Sequence, residues 1–174
     1  MKWFEPSLPK DVQPQPWLSP EATGFLSTLL KPEWKVLEHG GGGSTLWFAG
    51  LVSQVTCVET DPAWYQEIAR RELPNVDLKL WKKRNKLPAL KGPFDLMLVD
   101  GDPLEDRILF LESATKLVKP RGWVVLDNYN RPEYLQARLA ILKRADRVQR
   151  IHSGMGYFLN VEFIRFKIAQ GEQP

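Results

Sequence analysis

The chain has 174 residues, 43% of them hydrophobic, which suits one packed domain with one core and excludes disorder. A formal charge of +3 permits an anionic partner without demanding one, and no uninterrupted apolar run reaches the length of a membrane helix. The single cysteine, Cys57, excludes an internal disulfide, and the opening "MKWFEPSLPKD" lacks the apolar centre of a signal peptide, so a cytoplasmic protein is expected.

Residues 1–18 read as a Pro-rich arm. Pro6, Pro9, Pro14 and Pro16 prevent a lasting helix, and Trp3, Phe4 and Trp17 suit packing on the body or on a second copy, hence an expected homodimer contact. Residues 19–174 read as one domain. Ser19-Pro20 is an N-cap followed by a first-turn proline, opening a helix that stops near Lys31-Pro32. "WKVLE" is a first strand, and "STLWFAG" a short helix with Ser44 as its expected cap. "SQVTCVE" is a second strand, and Asp61-Pro62 caps a helix through about Glu72. "NVDLKLW" alternates apolar and polar positions like an edge strand, whereas "FDLMLVD" suits a central parallel strand covered on both faces. Asp102-Pro103 is expected to cap the next helix, "KPRG" turns into the strand "WVVLD", and Asn130 with Glu133 forms a capping box for a last helix. "RVQRIHS" and "MGYFLNVEFIRFKI" read as a hairpin turning at Ser153 and Gly154. The sum is an α/β, single-domain, doubly wound sheet of seven strands, mostly parallel, with an antiparallel C-terminal hairpin.

The stretch "KVLEHGGGGS" places four glycines between the first strand and its helix. Bare backbone at such a turn lets a ligand approach closely. No lysine follows, so a Walker A loop is excluded, and both possible dinucleotide registers fail, with Thr45 or Leu46 where the third glycine belongs. Glu38, Gly40, Gly42 and Ser44 satisfy Glu-x-Gly-x-Gly-x-Ser, and Glu59 ends the second strand 21 positions after Glu38. With "FDLMLVDG" and "LVKPRGWVVLDN", this order resembles the class I S-adenosylmethionine-dependent methyltransferases, in particular small bacterial domains of the methyltransferase domain 24 group and the cation-dependent O-methyltransferases.

The resemblance implies a Rossmann-like fold with S-adenosylmethionine held by Glu38, Gly40, Gly42, Ser44, Glu59 and Asp100, Glu59 on the ribose hydroxyls and Glu38 near the amino group of the methionine part. It implies O-methylation of a small or conjugated hydroxylated molecule. Asp100, Asp127 and Asn128 converge on the carboxyl edge of the sheet, and their oxygens suit Mg²⁺ or another divalent cation. Cation-dependent relatives carry this set, but also a lysine shortly after the first aspartate, which "VDGDPLEDR" lacks. Asp100, Asp127 and His152 are the catalytic candidates, His152 as a base titrating near neutrality. His39 reads as a satisfied polar residue, and Trp64 and Trp81 as adenine-face candidates or core. The basic residues between Lys79 and Lys91 offer an RNA-binding surface, though a solvated loop is preferred. Besides an RNA methyltransferase, an NAD(P)-dependent oxidoreductase and a non-catalytic binding module on the same fold stay open.

Overall fold

A computed structural model describes residues 12–82, 86–152 and 160–167. The elements are α1 (Pro20–Leu29), β1 (Lys35–His39), α2 (Gly43–Ala49), β2 (Gln54–Glu59), α3 (Pro62–Ala69), β3 (Val76–Leu80), β4 (Phe94–Val99), α4 (Leu104–Leu117), β5 (Val118–Asp127), a 3-10 turn (Pro132–Tyr134), α5 (Leu135–Leu142), β6 (Ala145–Ile151) and β7 (Val161–Phe166). The sheet runs β3-β2-β1-β4-β5-β7-β6. Strands β1 to β5 are parallel, and β7 is antiparallel to both β5 and β6.

The two-residue period of the strands sorts their side chains onto two faces. Leu37, Met97, Val99, Val124 and Leu126 meet α4, Tyr134 and α5 on one face. Val36, Leu96, Leu98, Trp123 and Val125 meet α1, Phe48 and Ile68 on the other. Both faces are covered, which explains why β4 reads as an almost continuous apolar run. Strand β3 lies at one edge, as its alternation predicts. The chain direction reverses its spread between β1 and β4, and ligands of open α/β sheets bind above that point.

Local signals are obeyed where the cap is a neighbour in sequence. Ser19 Oγ accepts from Ala22 N at 3.2 Å, and Asp61 Oδ1 accepts from Ala63 N and Trp64 N at 2.6 and 3.1 Å. Each such cap contributes about 1 kcal/mol. Three expected caps differ. Helix α2 starts one residue early, at Gly43, and Thr45 Oγ1 rather than Ser44 accepts from the Gly42 N–H at 3.1 Å. Asp102 leaves 85% of its side chain in solvent and caps nothing; Pro103 precedes α4. The Asn130–Glu133 box gives way to the 3-10 turn, so α5 begins only at Leu135. Helix α3 ends at Ala69, and Glu72 adopts φ 49° beyond it. Strands β6 and β7 pair antiparallel as expected, while Ser153 and Gly154 lie outside the described residues. Trp3 and Phe4 lie outside them too, whereas Val12, Pro16 and Leu18 are buried against the chain's own body. Among the described residues no helix is long and apolar enough to cross a membrane.

Candidate active site

Strand β1 delivers Glu38 and His39 to the carboxyl edge, and the chain then turns through Gly40 at φ 88°, a conformation that disfavours any side chain. A Cβ on Gly40 would overlap the backbone of Gly101, so the loops after β1 and β4 touch main chain to main chain at the switch point. A Cβ on Gly43 would strike the carbonyls of Gln13 and Gln15, because the arm crosses the start of α2. A Cβ on Gly41 would collide with Ile68 and Cys57. Gly40 and Gly43 are therefore required by close backbone packing, whereas Gly41 faces the ends of two side chains. Gly42 alone is unobstructed, with the Trp64 ring 3.6 Å from its notional Cβ. Trp17 meets Trp64 edge-on with ring centroids 5.5 Å apart, so an aromatic pair flanks the loop. Trp81 is 3% exposed and donates Nε1 to the Lys86 carbonyl at 2.9 Å; it is core, not an adenine platform.

Glu38 is wholly buried and accepts from Thr45 Oγ1 at 2.5 Å, while its Oε1 has no hydrogen-bond partner among the described residues. Burial lifts its pKa from 4.5 to about 7, opposed by hydrogen bonds from Ser44, Thr45 and Cys57. A buried acid with an unused oxygen is ready to meet a cationic group. Glu59 clamps the loop. Its Oε2 accepts from Gly41 N at 2.6 Å and its Oε1 from Thr60 N and Asp61 N at 2.6 and 2.7 Å. Burial raises its pKa, and these backbone bonds lower it. Thr60 Oγ1 adds a longer bond to Oε1 at 3.5 Å, whereas Oε2 accepts only from Gly41 N among the described residues and keeps a lone pair for a ligand hydroxyl. The glycine backbone, the orphaned oxygen of Glu38 and the aromatic ring beside Gly42 fit an adenosine carrying an amino-acid tail.

The second cluster stands above β4 and β5. Asp100 follows β4, Asp127 ends β5, and Arg107 from the first turn of α4 reaches between them. Arg107 donates Nε to Gly101 O at 2.6 Å, Nη2 to Asp100 O at 2.6 Å, and Nη1 to Asp127 O at 3.2 Å and Tyr134 Oη at 3.3 Å. Its Nη2 lies 3.5 Å from Asp100 Oδ1 and its Nη1 4.0 Å from Asp127 Oδ2. Burial, then the charge of Asp127, raises the pKa of Asp100; burial also raises that of Asp127, against a hydrogen bond from Asp100. The two carboxyl groups thus oppose each other's ionisation, and the charge of Arg107 offsets part of that rise in both. Beneath them His39 stacks on Phe110 at 4.3 Å, fully buried, and burial lowers its pKa to about 3. It is a neutral core residue, and both its nitrogens lack hydrogen-bond partners among the described residues.

The expected divalent-cation set does not fit this arrangement. Asn128, at φ 51°, accepts at Oδ1 from Arg131 Nη2 at 3.3 Å. Among the described residues no group of three His, Cys, Asp or Glu is placed to hold a metal. The Arg107 guanidinium, 3.5 Å from Asp100 Oδ1 and 4.0 Å from Asp127 Oδ2, already offsets the negative charge that would draw a dication there. Arg107 was not singled out in the sequence, although a signal exists: a buried arginine in the first turn of a helix opposes the helix dipole and needs strong tertiary partners.

His152 emerges at the end of β6, two strand spacings from β5, which is about 10 Å. Tyr129 spans that gap: its Oη lies 3.1 Å from His152 Nε2, and its N–H donates to Asn160 O at 3.2 Å. The Arg138 guanidinium lies 4.8 Å from the Tyr129 ring centroid and pairs, together with Arg150, with the buried Glu162. The structure thus brings Glu38, Gly40, Gly42, Ser44 and Glu59 into one loop region and Asp100, Asp127 and Asn128 into a neighbouring cluster. Among the described residues, His152 joins that edge through Tyr129.

A family model of the methyltransferase domain, Methyltransf_24, matches residues 37–129, more than half of the chain. No curated protein matches the sequence. The fold is shared with an rRNA methylase from Streptococcus thermophilus (TM-score 0.64, 14% identity, covering 85% of this chain and 95% of that one). It is also shared with a methyltransferase from Pyrococcus furiosus (TM-score 0.58, 24% identity, 84% and 81% covered). A Streptococcus mutans protein of methyltransferase type, solved with SAH, aligns at TM-score 0.61 and 12% identity, over 82% of this chain and 94% of that one. With the glycine loop, the acids beside it and the seven-stranded sheet, these matches show that the chain belongs to the Methyltransf_24 family of methyltransferase domains and is a class I, S-adenosylmethionine-dependent methyltransferase.

Proposed function

We propose that the chain methylates an oxygen of a small or conjugated hydroxylated acceptor, bound along the carboxyl edge between Asp100 and the Tyr129–His152 pair. The observation that carries this reading is the 3.1 Å contact between Tyr129 Oη and His152 Nε2. It puts an exposed imidazole on the same edge as the glycine loop, and gives that imidazole a fixed orientation. The cofactor, when bound, supplies a sulfonium-activated methyl group. Gly40, Gly42 and Ser44 line its backbone cradle, Glu38 meets the amino group of its methionine part, and Glu59 takes one ribose hydroxyl through its remaining lone pair. Asp100, with 26% of its side chain exposed, orients the acceptor. When His152 donates its Nε2 proton to Tyr129 Oη, Nδ1 becomes the basic nitrogen and receives the acceptor's hydroxyl proton. The acceptor oxygen so freed would take the methyl group that the bound cofactor supplies, and His152 releases the proton it has received to water. Alignment of the two reactants supplies much of the acceleration.

Thermal stability in titrations with S-adenosylhomocysteine and NAD⁺ tests the cofactor half. At 100 times its dissociation constant the nucleoside should add about 2.7 kcal/mol, and Glu59→Ala should abolish the gain. Stabilisation by NAD⁺ alone would hand the site to an oxidoreductase. Methylation of RNA is the weaker reading: its support is a fold likeness to rRNA methylases and a basic stretch in which Lys79 is already paired with Asp77 at 2.9 Å. A salt-sensitive shift of labelled RNA would reverse that order.

A further inference from the structure

We infer that Arg107 is the resident cation of the acceptor site, occupying by a side chain the place between Asp100 and Asp127 that a divalent metal would need, so that the acceptor is held by hydrogen bonds and not by chelation. The inference rests on the reading that the acceptor lies at this edge.

Four observations support it. Arg107 is 3% exposed, yet every nitrogen of its guanidinium has a partner within hydrogen-bond range. Those partners are the carbonyls of Asp100, Gly101 and Asp127 with the hydroxyl of Tyr134, so the planar fork ties the ends of β4 and β5 to the 3-10 turn. A guanidinium does not lose its proton in a protein, so the positive charge is permanent. The third oxygen of a would-be metal set, Asn128 Oδ1, is engaged by a second cation, Arg131. The helix start from which Arg107 projects carries two acids, Glu105 and Asp106, that favour that helix end; Arg107 alone works against the dipole and is held by the site.

The chemical consequence concerns the acceptor. A metal with open coordination positions can take two oxygens of one acceptor at once. A site with an internal guanidinium has no open coordination positions. It presents one partly exposed carboxyl, that of Asp100, and suits an acceptor that meets it with a single hydroxyl or other hydrogen-bonding group. The acceptor class is therefore a non-chelating alcohol or phenol.

Mn²⁺ binding to the full chain, followed by electron paramagnetic resonance in the presence of S-adenosylhomocysteine, tests the inference without an acceptor. The wild type should show no saturable binding up to about 1 mM Mn²⁺, and EDTA should leave the nucleoside's thermal stabilisation unchanged. Arg107→Ala should gain Mn²⁺ binding by at least about tenfold, and a second change, Asp127→Asn, should remove it. Arg107→Lys, which keeps the charge, should stay metal-free. Saturable Mn²⁺ binding by the wild type that disappears in Asp100→Asn overturns the inference, as does Arg107→Ala that responds to S-adenosylhomocysteine yet takes no metal. If Arg107→Ala fails to fold, the wild-type titration decides. Failure of S-adenosylhomocysteine to bind counts against the functional reading, whereas nucleoside binding together with wild-type Mn²⁺ binding counts against Arg107 alone.

Discussion

Replacing Glu38 by Gln isolates what it costs to keep an acid under the glycine loop. Burial lifts the Glu38 pKa from 4.5 to about 7. A raised acid holds its proton more tightly in the folded chain than in the unfolded one. Its contribution to stability is therefore intact below pH 4.5 and is lost as the pH climbs through about 7, because the unfolded chain ionises first. The full difference amounts to about 3 kcal/mol, and most of it falls between about pH 5 and about pH 8.5. Gln does not ionise, so that loss vanishes in the variant. Its amide hydrogens meet the space where Glu38 Oε1 has no partner, which costs about 1–3 kcal/mol at every pH. Urea unfolding of both proteins at the two pH values gives the test. The stability difference should move in favour of Glu38→Gln by about 2–3 kcal/mol on going from low to high pH. Asp127, whose pKa is raised, and His39, whose pKa is lowered to about 3, titrate in both proteins and drop out of the comparison, whereas Asp100 and Glu59, which interact with the Glu38 charge, add a smaller change of their own. A difference that does not change with pH would refute the reasoning, since Glu38 would then ionise as easily inside the fold as outside it.

Gly43→Ala should push the carbonyls of Gln13 and Gln15 off α2, lowering stability by about 1–3 kcal/mol and speeding limited proteolysis of the arm before Ser19. Tyr134→Phe removes the hydroxyl that accepts from Arg107, so urea unfolding should show a loss of about 1 kcal/mol, with S-adenosylhomocysteine affinity by calorimetry unchanged. His152→Ala should slow methyl transfer by about 10²-fold to 10⁴-fold, while leaving cofactor affinity intact. An unaltered rate in that variant would move the base elsewhere.

Much of the architecture was readable from short stretches. The alternation in "NVDLKLW" and the unbroken apolar run of "FDLMLVD" told the edge strand from the central one, since a strand's pattern records how many of its faces are covered. Ser19 and Asp61 were legible as caps because donor and acceptor lie within three residues of each other. The motif from Glu38 to Ser44 was legible for the same reason, being contiguous and chemically unusual.

What the linear order left open was every contact between distant residues. Gly43 is glycine because Gln13 and Gln15 return to it, and Gly40 because Gly101 does. Arg107 reads as an ordinary helical residue until α4 folds back over β4 and β5 and sets its guanidinium between two carboxyl groups. Tyr129 meets His152 only because β7 inserts between β5 and β6 and carries the end of β6 to the same edge. Local hydrogen-bonding and hydrophobic period act over a few residues and so are written in the string itself. A buried charge is different: whether it is satisfied depends on which polar groups the packed sheet brings within about 4 Å, and only the completed fold decides that.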